Sequence, residues 1–137
     1  MSFDLGKSNL TKLSSVGCEF ELVVPEVSEA TGIMMKVRGE KSAEVQAFAK
    51  RMYNQIQFKE AAAKRKGKPV EPMSLDEAED YAVEAAMVRL IGWTNMKEDG
   101  VEVPYNKENA ERILREHPWI RDCIIEEAQN LGNFYKS

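Results

Sequence analysis

The chain has 137 residues but only one histidine and two cysteines, and those scarcities exclude much chemistry. His117 has no second histidine or sequence-near cysteine, so zinc coordination and Cys-His catalysis lack the ligands they need. Its place beside Pro118, at a helix break, is structural. Cys18 and Cys123 lie far apart and form no CxxC pair, so two reduced, partly buried thiols are expected. No GxxxxGK[ST] or GxGxxG is present, which leaves no loop to cradle a phosphate. No apolar run approaches the ~20 residues that span a bilayer. Met1 to Ser15 holds no apolar core of a secretion signal, which sets the expectation of a cytoplasmic chain without a membrane partner.

What remains is ordinary globular material, 43% hydrophobic and 31% charged, long enough for one domain with a real core. The net charge of −4 disfavours nucleic acid as a partner. The basic run Lys64, Arg65, Lys66 and Lys68 lacks interleaved aromatics and precedes an acidic helix, so it reads as a solvated linker.

Residues 1–17, rich in Ser, Lys, Asn, Thr and Gly, read as a flexible N-terminal arm. Residues 18–134 read as a single α+β domain, with a basic linker near 64–73 and a C-terminal tail at 135–137. Residues 19–24 and 33–38 are β-branched and apolar runs, and predict an antiparallel strand pair joined by a connection longer than a tight turn. Ser42 opens a first helix to about Lys64, with Val45, Phe48, Ala49, Met52 and Ile56 along one face.

Ser74-Leu75-Asp76-Glu77 is a capping box that opens a second helix over about 75–91. The second half of that helix is apolar all round except for Arg89, which marks it as the centre of the fold. Asp99-Gly100 is a turn dipeptide, and Asn106 caps a third helix over about 107–116. A fourth runs from about Trp119 to Asn130, with Gly132 suited to its C-terminus. The expected architecture is therefore the N-terminal strand pair packed on a mainly helical bundle of about four helices.

Three sets of residues invite a functional reading. Glu77 with Asp80, and Glu108 with Glu111, place carboxylates on adjacent helix turns. Magnesium-dependent nucleotide pyrophosphohydrolases use such pairs, but the macrodipole alone favours acidic residues near helix starts. Trp93 suits either a partner contact or a core seal. On the last helix Glu127 falls inside the apolar stripe and Ile125 outside it, and that misfit pair marks a candidate partner surface. The reading is of a binding or assembly protein, not an enzyme, with no metal and no cofactor; a generic helical adaptor fits the same features.

Two blocks carry a resemblance. One is Gly32-Ile33-Met34-Met35-Lys36-Val37-Arg38-Gly39-Glu40-Lys41-Ser42, a strand followed by a Ser-started helix. The other, Trp93 through Ala110, joins a Trp, an Asp-Gly turn, a Pro-Tyr step and a Glu-Asn-Ala helix start. With the closing Asn133-Phe134 they resemble the tail assembly chaperones of long-tailed bacteriophages. His117-Pro118-Trp119 and the basic linker have no counterpart in that pattern. The resemblance implies a small, mainly helical protein of the host bacterial cytoplasm that is absent from the mature virion. Such a protein holds the tape measure protein soluble and helps recruit the major tail protein, without catalysis. Self-association into a homo-oligomer is expected of a chaperone that covers a long helical client through many weak contacts.

Overall fold

The computed structural model describes Leu5 and residues 9–135. The two apolar runs form β1 (Cys18–Val24) and β2 (Glu29–Val37), paired antiparallel from Cys18 opposite Val37 to Val24 opposite Glu29. β2 begins at Glu29 rather than Ile33, so the connection contracts to residues 25–28, closed by Ser28 at a φ of 52°. The register shifts between Glu21 and Val23. There the Thr31 hydroxyl donates to the Leu22 carbonyl at 2.6 Å and accepts from the Ile33 N–H at 3.1 Å. One threonine thus satisfies backbone groups at the irregularity.

A third strand completes this sheet. The second long helix ends at Arg89, and Leu90–Thr94 forms β3, with Met35 opposite Trp93 and Lys36 opposite Gly92. The sheet order is β1-β2-β3, antiparallel throughout. The expected N-terminal strand pair forms, and β3 extends it on the β2 edge. Leu90-Ile91-Gly92-Trp93 continues the apolar run of the helix, and periodicity cannot separate a short buried strand from a buried helix end. The open edge of β2 decides the matter. Arg38 holds the junction: its Nη1 donates to the Val88 carbonyl at 2.6 Å and its N–H to the Arg89 carbonyl at 2.7 Å, on orphan acceptors of the helix end.

The helices begin where local chemistry indicates. α1 (Leu10–Val16) is capped by Asn9, and α2 (Ala43–Arg65) by Ser42. At α3 (Leu75–Arg89), Ser74 Oγ accepts from the Glu77 N–H and donates to Glu77 Oε1, each at 3.1 Å. The Glu77 carboxylate therefore accepts from the cap's hydroxyl instead of from a backbone N–H. β4 (Lys97–Glu98) and β5 (Val101–Glu102) close on Asp99 and Gly100 at φ of 52° and 78°. Positive φ at both central residues is the requirement of a type I′ turn. Asn106 Oδ1 accepts from the Asn109 N–H at 2.7 Å and opens α4 (Lys107–Glu116). α5 (Pro118–Gln129) ends at Asn130, and Gly132 starts the short α6 (Gly132–Tyr135) where a C-terminal cap had been expected.

α3, α4 and α5 pack together, and α5 reaches β1 and β2. Leu22, Met35, Val37, Leu114, Ile124 and Phe134 are fully buried between them. Six helices are present among the described residues, the additions to the expected four being the short α1 and α6. α1 lies inside the segment read as an arm. Its Ser14 is buried, its carbonyl accepts the Gly39 N–H at 2.9 Å, and α6 packs beside it. A side chain on Gly39 would come within 2.9 Å of the Phe134 ring and 2.7 Å of Ser14 Oγ. That close approach, more than strand termination, is what the glycine is for.

Candidate partner-binding surface

α2 and α3 leave the body as an antiparallel hairpin. Near the body Phe48 meets Tyr81 with ring centroids 5.8 Å apart, and Arg51 pairs with Glu84. Farther out Lys59 reaches Glu77 at 3.7 Å. Gly67, at a φ of 64°, turns the chain at the tip. Its N–H donates to the Lys64 carbonyl at 3.1 Å, while the Lys68 N–H donates to the Ala63 carbonyl at 3.0 Å. These are the two bonds of a Schellman motif, so the basic run is a well-formed helix end.

Beyond that point the hairpin has no core. Between Tyr53 and Tyr81 no residue is buried, and only Ala62 and Ala63 are half-buried. Tyr53 is 63% exposed, Ile56 54%, Phe58 70% and Leu75 90%, with Val70 and Met73 also exposed. Scattered apolar residues are normal on a surface. A whole two-helix arm carrying this many large ones is a candidate docking surface. The sequence stripe had assigned Ala49 and Ile56 to the core face of the first helix. Only Val45 and Phe48 of α2 are buried there, because α3 covers the base of the hairpin alone. Tyr53, Phe58 and Leu75 carried no signal, since each falls off the periodic face that sequence reading looks for.

The residues expected to bind partners sit elsewhere. Trp93 lies on β3 in the core, 8% exposed, with its indole N–H donating to the Val103 carbonyl at 2.8 Å. Tyr105 packs edge-on to it at 5.1 Å. Trp93 thereby ties β3 to the segment after β5. On α5, Ile125 and Glu127 are both half-buried. Glu127 Oε2 accepts from Asn133 Nδ2 at 2.8 Å, and its charge adds to the burial that pushes the Cys18 thiol up. Both cysteines are free thiols, and burial first, then nearby carboxylates, raises Cys123 as well. The exposed positions of α5 itself are Pro118, Asp122, Glu126 and Gln129.

One member of each carboxylate pair, Asp80 and Glu111, is met by arginine, while Glu108 is exposed on the first turn of α4. Arg115 Nη1 donates to Asp80 at 2.9 Å, and Nη2 reaches Glu111 at 3.5 Å, bringing α3 and α4 together. Those bonds raise the Arg115 guanidinium further, the Asp80 contact most. Glu77 is engaged with Ser74 and Lys59. A guanidinium thus stands between Asp80 and Glu111, where the pyrophosphohydrolase reading needs a metal ion. A second cluster joins Glu98, Glu116 and His117, with potential ligand atoms within 4.8 Å of one another. The fold brings His117 two carboxylates that sequence spacing did not reveal. Arg112 Nη1 sits on both, 3.0 Å from Glu98 and 3.3 Å from Glu116, so one cation already bridges the two carboxylates.

The model of the YdaY prophage protein family matches residues 40–137. The chain belongs to that family. The matched segment contains α2, α3 and all that follows, so the whole hairpin is inside it, while α1, β1 and β2 precede it. This protein is accordingly of phage or prophage origin, as the resemblance implied. No curated protein and no solved structure matches the chain. No helix among the described residues is long and apolar enough to cross a membrane.

Proposed function

We propose that the protein is a non-enzymatic assembly factor of phage morphogenesis, a tail assembly chaperone that binds the tape measure protein and helps recruit major tail protein. The observation that carries this reading is the α2–α3 hairpin, an arm with large apolar residues exposed along both helices. A long helical client presents apolar stripes, and a helical hairpin is a shape that lies along such a stripe. Prophage family membership and the resemblance of the two sequence blocks to tail chaperones support the same conclusion. The protein acts in the host cytoplasm and leaves before the virion is complete. The hairpin, with far more exposed apolar surface than α5, is the client contact.

Co-expression with the tape measure protein encoded in the same prophage tests the proposal. The tape measure protein stays soluble with the intact chain, and a Tyr53→Glu, Phe58→Glu, Leu75→Glu triple variant loses that effect while remaining folded. A tape measure protein equally soluble without the chain overturns the assignment.

A further inference from the structure

Charge and apolar surface coincide along one side of α2. The helix carries five cations, Lys50, Arg51, Lys59, Lys64 and Arg65, against two carboxylates, Glu44 at its start and Glu60 farther out. A helix turns about 100° per residue, so residues seven apart fall nearly on one row. Arg51, Phe58 and Arg65 make such a row, a cation to either side of a ring that is 70% exposed. Ile56 and Glu60 each stand about 200° round the helix from Phe58, on the opposite side.

The surface along that row is hollowed. One groove lies over Lys50, Arg51, Asn54 and Phe58, and no carboxylate lines it. A second runs from Phe58 and Lys59 to Lys66 and Lys68 at the tip, with Glu71 and Glu77 in its wall. The two share Phe58 and Lys59, so they form one trough from Ala47 to the tip of the hairpin. Over that stretch the helix rises about 28 Å. Arg51 is answered by Glu84 and Lys59 by Glu77. Among the described residues Lys50, Arg65, Lys66 and Lys68 form no ion pair. The trough is thus long, has an aromatic ring near its middle and holds unanswered cations towards both ends. Its complement is a helix whose apolar residue lies between acidic ones. Single-stranded nucleic acid asks for a series of aromatic faces, and here Phe58 stands alone, with two carboxylates in the wall.

We propose that this trough takes an acidic amphipathic helix of the protein that the hairpin binds. One apolar side chain of that helix packs on Phe58. Carboxylates about two turns to either side, roughly 10 Å away, meet Lys50 at one end and Arg65 and Lys66 at the other. The inference rests on the hairpin being the recognition surface, and adds which side of it binds and what chemistry it selects.

Fluorescence anisotropy with the full-length chain tests this apart from co-expression. The probes are a labelled helical peptide of about 18 residues with Leu on its central turn and Glu two turns to either side, its Glu→Lys counterpart, and single-stranded DNA of equal length. The acidic peptide binds with a Kd no weaker than about 100 µM, and the Lys counterpart binds at least about tenfold more weakly. Lys50→Glu/Arg65→Glu/Lys66→Glu weakens the acidic peptide at least about tenfold, with unchanged circular dichroism because all three side chains are exposed. Phe58→Ala does the same, while Ile56→Ala, on the opposite side, stays within about twofold. Equal binding of the two peptides, no binding of the acidic one, indifference to the triple reversal, or DNA bound more tightly than the acidic peptide each overturn the proposal. A triple-reversal chain that still keeps the tape measure protein soluble also overturns it and leaves the chaperone assignment standing. Acidic-peptide binding beside a tape measure protein soluble on its own removes that assignment and leaves the trough's chemistry standing.

Discussion

The body of the molecule and its hairpin are built on opposite terms. In the body, sheet and helices share one interior, and Leu22, Met35, Leu114, Ile124 and Phe134 have essentially no exposed surface. Among the described residues one cation is buried there, and its charge is paired: Arg89 donates to both Glu40 oxygens, the second at 3.1 Å, and to the Ala85 carbonyl. In the hairpin no residue from Tyr53 to Tyr81 is buried, and its ion pair Lys59–Glu77 joins two side chains that are more than half exposed. Such a pair contributes at most about 1 kcal/mol. Fixing backbone costs on the order of 1–2 kcal/mol per residue, so an arm without burial is the low-stability part of the fold. The body holds the buried interior, and the hairpin is its exposed arm.

Substitutions separate the two regions. Leu90→Asp puts an unpaired carboxylate at a position 2% exposed and destabilises by roughly 4 kcal/mol or more, measured by urea unfolding. Arg89→Ala strands Glu40 and costs about 2–3 kcal/mol in the same assay. Trp93→Phe removes the Val103 hydrogen bond and part of the Tyr105 contact, for about 1–2 kcal/mol. Asn106→Ala removes a helix cap and costs about 1 kcal/mol. Leu75→Glu, on the hairpin, changes unfolding of the dilute protein by less than about 0.5 kcal/mol. An equal loss at Leu75 and Leu90 would erase the contrast. The thiols give the smallest effect: with both raised by burial, alkylation at pH 8 runs slower than for an exposed cysteine, because less thiolate is present.

Local chemistry was readable before the fold was known. The Ser42, Ser74 and Asn106 caps and the Asp99-Gly100 turn each depend on residues within a few positions, and each forms where its sequence indicates. Long-range pairing was not readable. β3 looked like helix because its partner, the free edge of β2, lies more than fifty residues away in sequence. α1 was hidden for a similar reason: its seven residues are held by Gly39 and α6, contacts that no local pattern reveals. The candidate surface was concealed by the opposite effect. Ile56 continues a stripe that starts in the core at Val45 and Phe48, and periodicity says which face is apolar without saying whether anything covers it.

Hydrogen exchange followed residue by residue tests the division of labour most directly. In dilute protein, amides of β1, β2, α4 and α5 exchange only through global unfolding, while those of residues 53–81 exchange through cheaper local opening. Addition of the tape measure protein slows the hairpin and leaves the body unchanged. A hairpin protected as strongly as the body in dilute solution, with no further slowing when a partner is supplied, would contradict the account.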